Sequence, residues 1–494
     1  MSKLLLVSLI FIPQGRGSRR KWGWKVLDTG VLELVFTVLC NLSFAYFFLL
    51  CTRYCVLCFY ALRYKKKISK CLLNGGLVEK RPFVTVMVPT YNERNVVERV
   101  LRACLSLDYD NYEILVVDDS TDETLEILKR WERHPRIRVI HREHRKGWKG
   151  GALDEGLKHV RPETEFIMVV DADCIPPRDA IQRMLSCFIS DKVAAVQGYQ
   201  YTVLNADENW ITRAARTLMS TAYAVDYAGR FASGAAPQLG GGLMMVRRDV
   251  LDEIGGFGTS ITEDYDMAVR IYTHGYEIFF LEDLKVLTEC PSTFRNFVGQ
   301  MCRWIEGRAR DFKRNLKAIL SSRKLSAKRK LDLVLDGLTN FAGFMTLFSF
   351  AASIVSMLLG LSVPNILEVL GLPWPIQLAT TIYMLASYPI VQYVALKKEG
   401  VKRTLRWLAS CLIAMAVITP FAVKALFKGL FLQATSFFRT YKTGRITMLE
   451  RQIEYLRVPH GVIPSPYVGG ADLMTSFLMV EHRSQIFSIM CRLC

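Results

Sequence analysis

The chain has 494 residues, is 51% hydrophobic and 22% charged, and carries a net charge of +18. That length accommodates two or three domain-sized units. The apolar fraction, with aromatics at 11%, excludes low-complexity disorder. A mean hydropathy of +0.19 in so charged a chain means that apolar residues are gathered into blocks. The thirteen cysteines are odd in number and scattered, which argues against a secreted disulfide framework. Cys55 and Cys58 have CxxC spacing but no second pair, so they read as packing rather than as a zinc site.

In chain order, residues 4–12 form a short apolar stretch without a small-residue cleavage site, and are not read as a cleaved signal peptide. Residues 35–52 are uncharged and very apolar. At about 1.5 Å per residue such a run crosses a hydrocarbon core of about 30 Å. Arg53, Arg63 and Lys65-Lys66-Lys67 follow it.

The pattern changes at Pro82. Short β-branched runs at 83–89, 112–117, 138–140 and 166–170 predict strands, and helices are predicted near 96–104 and over 123–133. Alternating strands and helices predict a parallel sheet with both faces covered. Ligands of such sheets sit beyond the carboxyl ends of the strands, where the acidic clusters of this sequence fall. Neither a dinucleotide fingerprint nor a P-loop is present, and no nucleic-acid motif accompanies the positive charge.

Further on, residues 310–330 carry Arg and Lys against Asp311 alone, and 397–406 is also basic. Between them, 337–367 and 369–396 are uncharged, with a turn expected over 364–375. The positive-inside rule makes this a hairpin of two spans with both basic segments cytosolic. The shorter run 407–423 contains Pro420 and precedes Lys424 and Lys428, which favours a helix lying in the membrane interface over a fourth span. The expected organisation is a membrane segment (1–70), a catalytic α/β domain (80–309), basic interfacial helices (310–336), membrane and interfacial helices (337–434), and a loop with a polar tail (435–494).

Several residues have types and spacings that suit chemistry. Asp171 and Asp173 follow a wholly apolar strand and point the same way in extended backbone. Two carboxylates there repel unless a cation joins them, and hard oxygen ligands suit Mg²⁺ or Mn²⁺. The plainer alternative is a solvated strand end. Asp118 and Asp119 end another strand, where they either accept hydrogen bonds from a base or ribose or cap the next helix. Thr262-Glu263-Asp264 follows a Gly-rich turn and offers either a helix cap or a general base. Gln300-Met301-Cys302-Arg303-Trp304 opens a helical stretch. Arg303 suits a phosphate and Trp304 a sugar face, or both anchor an interfacial helix. Lys146-Gly147-Trp148-Lys149-Gly150-Gly151 is either a ligand-approaching loop with Lys149 against phosphate charge or a flexible surface loop.

Taken in order, these segments resemble the family 2 glycosyltransferases, specifically the membrane-embedded cellulose synthase-like branch. The resemblance rests on Pro89-Thr90-Tyr91-Asn92-Glu93, Asp118-Asp119-Ser120-Thr121-Asp122, the stretch from His144 to Leu153, Asp171-Ala172-Asp173, Thr262-Glu263-Asp264 and Gln300-x-x-Arg303-Trp304. Pro291-Ser292-Thr293-Phe294 is similar to plant glucomannan and xyloglucan glucan synthases. The resemblance covers roughly 80–310 and implies an α/β GT-A (Rossmann-like, mostly parallel) domain inserted between transmembrane helices. It implies that Tyr91, Glu93 and Asp119 line a nucleoside pocket with Asp118 beside them. Lys149 would contact the diphosphate or uracil side, Asp171 the nucleotide sugar and Asp173 the metal, Mg²⁺ or Mn²⁺. Asp264 would be the base, with Glu263 beside it, and Gln300, Arg303 and Trp304 would hold diphosphate and acceptor. Phe437-Phe438-Arg439-Thr440-Tyr441-Lys442 resembles the gating pattern Phe-x-Val-Thr-x-Lys, with Arg439 in place of Val, which makes Phe437, Thr440 and Lys442 gating candidates.

The expected activity is inverting, metal-dependent, processive transfer of a hexose from a nucleotide sugar to a growing β-glycan, with UDP-glucose ahead of GDP-mannose as donor. The alternatives are single-sugar transfer to a polyprenyl phosphate or ceramide, and a scaffold with an inactive transferase domain. The expected setting is an integral membrane protein of a plasma or Golgi-type membrane, its catalytic domain cytosolic, its partners the sugar donor, a glycan acceptor and membrane lipids, with no nucleic acid. The sequence names no partner subunit.

Overall fold

The structure is a computed structural model, and it describes residues 9–14, 21–26, 29–63, 80–434 and 437–447. Leu9–Gln14 (β1) and Lys21–Val26 (β2) pair antiparallel ahead of a long apolar helix, Thr29–Arg63 (α1).

The α/β domain then follows the expected alternation. Its first half runs Phe83–Thr90 (β3), Val97–Leu105 (α2), Tyr112–Asp118 (β4), Thr124–Trp131 (α3), Ile137–His141 (β5), Trp148–Lys158 (α4) and Thr164–Val170 (β6). All seven residues of β4 are buried, as are Val84, Val86, Met87 and Val88 of β3. That is why these strands read as continuous apolar runs rather than as alternations. The second half adds Val193–Thr202 (β7), Trp210–Thr221 (α5), Leu243–Arg247 (β8), Glu263–Thr273 (α6) and Glu277–Thr288 (β9). A π-helical turn, Ala222–Tyr227, continues α5.

The seven strands form one sheet in the order β5-β4-β3-β6-β8-β7-β9. The sheet is mostly parallel, as expected: β8 alone is antiparallel to its neighbours β6 and β7, and the other pairings are parallel. The chain reverses through Gly240-Gly241-Gly242, and the Asp171 amide donates to the Gly242 carbonyl at 3.3 Å, tying the reversal to the end of β6.

Phe294–Ser321 (α7) follows, and runs without a break across the expected 309/310 boundary. Ala327–Leu338 (α8), Ala342–Leu359 (α9), Trp374–Lys398 (α10) and Thr404–Phe431 (α11) complete the helices considered below. Among the described residues three helical stretches are long and apolar enough to cross a membrane: Gly30–Arg63, Ala327–Leu359 and Thr404–Phe431. Two expectations change here. Residues 374–396 of the run 369–396 lie in α10, which is not one of these three stretches. The run 407–423, expected in the interface, belongs to a helix with span-like length and composition. The turn expected over 364–375 lies between left-handed Gly360 at the end of α9 and the start of α10 after Pro373, and contains one short helical turn, Ile366–Val369. The expected polar tail beyond residue 447 lies outside the described residues.

Candidate active site

The carboxyl ends of β3, β4 and β6 open onto a cleft of about 170 Å³. Of the predicted site residues, Tyr91, Glu93, Asp119, Lys149, Asp171, Asp173, Glu263, Asp264, Gln300, Arg303, Trp304, Phe437, Thr440 and Lys442 line it. Asp118 does not line this cleft. It is fully buried, accepting from Thr90 Oγ1 at 2.7 Å and Ser120 Oγ at 2.6 Å, with His141 Nδ1 at 2.8 Å. The expectation that it sits beside a nucleoside is therefore corrected: those partners use up its oxygens and join the ends of three strands.

Two lysines neutralise the acidic centre. Lys149 Nζ lies 2.7 Å from Asp171 Oδ1 and 2.9 Å from Glu263 Oε1, and Lys442 Nζ lies 2.7 Å from Asp173 Oδ2. Burial and the neighbouring Asp173 hold the Asp171 carboxyl above its usual range, against the pull of Lys149. Burial also works to raise Asp173, but Lys442 and Arg99 outweigh it and the net direction is downward. Hard carboxylate oxygens that already attract cations fit a Mg²⁺ or Mn²⁺ ion. No cluster of three or more His, Cys, Asp or Glu suited to a metal occurs among the described residues. The remaining ligands would be oxygens of a bound phosphate or water, the usual Mg²⁺ arrangement.

The end of the cleft nearest β3 and β4 is rich in arginine. Arg142 makes a forked pair with Asp119 at 2.7 and 2.6 Å. The Arg145 guanidinium stacks 3.7 Å above the Tyr91 ring and 4.7 Å from that of Phe437. Arg303 sits 4.4 Å over the other side of this aromatic cluster. Arg439 forks onto Glu93 at 3.2 and 3.0 Å. Burial pushes the Glu93 carboxyl up to about 7, the arginine pulling the other way. Arg142, Arg145 and Arg439 were not predicted as site residues. Arg145 lay inside a quoted motif, and Arg439 showed only as a departure from one.

Asp264 stands in the first turn of α6, where its Oδ1 accepts from the Tyr265 amide at 2.8 Å. Burial and the adjacent Glu263 raise its carboxyl to about 7. The turn Gly240-Gly241-Gly242 passes directly over it: a Cβ on Gly241, whose φ is +72°, would lie 3.0 Å from Asp264 Oδ2 and 2.8 Å from Lys149 Nζ. Lys149 itself sits in the first turn of α4 rather than in a flexible loop. That helix approaches the Gly-rich turn before α6 so closely that a Cβ on Gly150 would fall 2.0 Å from the Gly258 carbonyl.

A second cavity, of about 200 Å³, shares Gln200, Gly240, Thr262, Asp264 and Trp304 with the cleft. It continues past Tyr223, Tyr227 and Asp226 of the π-helical turn to Tyr54 of α1 and Tyr388 of α10. Asp264 and Trp304 thus stand where the two spaces meet.

A mostly parallel sheet with an Asp-x-Asp pair at its carboxyl edge places the domain in the GT-A class of α/β folds. In agreement, the mannosyltransferase PcManGT from Pyrobaculum calidifontis, solved with GDP-Man and Mn²⁺, superposes with a TM-score of 0.52 at 24% identity, covering 81% of this chain and 99% of that one. Residues 81–307 match the family model described as glycosyltransferase like family 2. It is 34% identical over 267 residues to probable glucomannan 4-beta-mannosyltransferase 11 of Oryza sativa subsp. japonica, covering 52% of this chain and 46% of the relative. It is 32% identical over 263 residues to glucomannan 4-beta-mannosyltransferase 2 of Arabidopsis thaliana, covering 51% and 49%. The chain spans about half the length of the curated relatives it matches.

Proposed function

We propose that the protein is a membrane-bound hexosyltransferase that moves a sugar from a nucleotide donor to a glycan acceptor with inversion. The observation that carries this reading is the position of Asp264 between the cation-rich cleft and the second cavity. The donor lies in the cleft, its nucleoside over Tyr91 and its diphosphate toward Arg303 and Lys149. The acceptor enters from the second cavity, a sugar ring against Trp304. Asp264 takes the proton of the attacking hydroxyl, the oxygen attacks the anomeric carbon from the side opposite the diphosphate, and the diphosphate leaves. Asp171 and Asp173 would hold a divalent ion, which would offset charge on the leaving diphosphate. Repeated transfer grows a polymer, and the tyrosines between α1 and α10 give it a polar path of the kind tolerated near a bilayer.

Mannose replaces glucose as the favoured sugar, because the relatives that are 34% and 32% identical to this chain over the aligned residues are named mannosyltransferases. GDP-mannose is then the donor of first choice, reversing the expectation from sequence. The basic segments support a catalytic domain on the cytosolic face.

The test is incubation of the purified protein in lipid, with Mg²⁺ or Mn²⁺, and a panel of radiolabelled nucleotide sugars. A high-mass product from GDP-mannose, degraded by a β-mannanase, is expected. A small organic-extractable product points instead to a glycolipid, and no transfer by folded protein from any donor overturns the reading.

A further inference from the structure

Residues 437–447 cross the cleft as a strap, and the residue that fastens it is a buried carboxylate to which the reaction above gives no role. Glu289 follows β9, and its side chain is wholly shielded from solvent. One of its oxygens accepts from the Thr443 amide at 2.6 Å and from Thr443 Oγ1 at 2.7 Å, and the other from the Gly444 amide at 3.0 Å. Arg99 stands 3.8 Å away and donates to the Gly444 carbonyl at 3.4 Å. Charge-assisted bonds of this kind are among the stronger ones a protein makes. They fix the strap one residue beyond Lys442.

The same backbone presents Lys442 to Asp173. The ammonium donates to the Glu289 carbonyl at 2.8 Å while resting 2.7 Å from Asp173 Oδ2, and the Glu289 amide reaches that oxygen at 3.4 Å. Lys442 therefore occupies an oxygen that a divalent ion bound at Asp171 and Asp173 would need. Two cations on one carboxylate oxygen repel each other, so the ammonium opposes a metal ion there.

We propose that Glu289 is a positioning residue that docks the strap, and that the Lys442 it positions is a resident counter-ion which a divalent cation must displace from Asp173. The inference rests on the metal-dependent reading of the cleft. Metal arrival and movement of Lys442 are then one event. The acidic pair stays neutralised while the site is empty of metal, and the freed ammonium becomes available to the phosphate oxygens that accompany the ion. No covalent step is involved, only exchange of one cation for another.

The experiment is a Mn²⁺ titration of the full chain in lipid nanodiscs without nucleotide, followed by loss of the free-ion EPR signal. Lys442→Met is expected to tighten Mn²⁺ binding about tenfold, the scale of a hydrogen bond to a charged group. Glu289→Gln is expected to tighten it in the same direction, and the double variant no further than Lys442→Met alone, because both act through one contact. Lys442→Arg should restore the weaker binding of the parent. If Glu289→Gln does not fold, Thr443→Val, which removes one of the strap's bonds to Glu289, is expected to give a smaller shift of the same sign. Unchanged or weaker Mn²⁺ binding in Lys442→Met overturns the proposal, as does additivity of the two changes. Absence of Mn²⁺ binding in parent and variants, with nucleotide still bound, overturns it while leaving sugar transfer standing. Loss of transfer from every donor with the Mn²⁺ response intact does the reverse.

Discussion

Asp264 and Asp118 show how differently two equally visible aspartates are used. Both end runs that the sequence marks clearly. Asp118 is enclosed by Thr90, Ser120 and His141, whereas Asp264 keeps one oxygen on its own helix amide and stands in the wall of two connected spaces. No spacing rule separates the two cases, because the partners that enclose Asp118 come from other strands. The consequence for Asp264 is a carboxyl raised to about 7 by burial and by Glu263. A base with a raised value holds its proton below that pH and is competent above it. Transfer measured at saturating donor is therefore expected to rise as pH increases from about 6 to 8, with its midpoint near 7. Asp264→Asn should lose transfer by about 10²–10⁴-fold, the usual contribution of a general base. It should retain nucleotide binding by calorimetry. A transfer rate that does not change with pH in the parent, or an active Asn variant, refutes the role.

At the level of elements, the first half of the domain was legible and the second half was not. Strands β3, β4, β5 and β6 are apolar runs closed by turn residues, so their pattern survives without knowledge of neighbours. Strands β7, β8 and β9 were not read. Gln197 in β7 is polar yet fully buried, its amide donating to the Gly198 and Leu243 carbonyls. Glu282 in β9 pairs with Lys398 from the end of α10. Their polarity is satisfied by residues far away in sequence, and local patterning registers it only as surface. The helix that holds Gln300, Arg303 and Trp304 presents the same problem as a packing requirement. A Cβ on Gly429 of α11 would lie 2.3 Å from the Glu306 carbonyl of α7, so these two helices touch through backbone. Small residues at such crossings let helix axes approach. Gly429→Val should force them apart and cost about 1–3 kcal/mol, the usual penalty of overpacking. The thermal midpoint in detergent is expected to fall, and transfer with it, since α7 carries the acceptor-side residues. An unchanged midpoint means that the helices separate without cost.

At the scale of the molecule, the α/β domain is joined to the apolar helices by buried charge rather than by a linker. Arg53 of α1 pairs with Asp226 at 3.0 Å and Asp332 at 3.3 Å. Arg230, fully buried, meets Asp226 at 3.0 Å and also Asp336, and Arg308 meets Asp336 at 2.7 Å. Three arginines thus face three aspartates drawn from α1, the π-helical turn and the residues after it, α7 and α8. The sequence shows each of these as one more charge in a basic chain, because their balance exists only in three dimensions. Such a set is not a large net source of stability, since desolvation offsets most of the attraction. Its effect is conditional: removing one member leaves the others, fully buried Arg230 among them, without a compensating charge. Asp336→Asn leaves three positive charges against two, and is expected to destabilise the protein by about 3–5 kcal/mol. Arg94→Ala breaks an exposed pair with Glu123 and should cost less than about 1 kcal/mol. Chemical unfolding of both variants in detergent, followed by tryptophan fluorescence, makes the comparison on one protein. If the two midpoints shift equally, the buried set does not hold the domain to its helices. If only Asp336→Asn shifts, the cavity between Trp304 and Tyr54 owes its shape to those charges, because Asp226, Arg308 and Asp336 are also its walls.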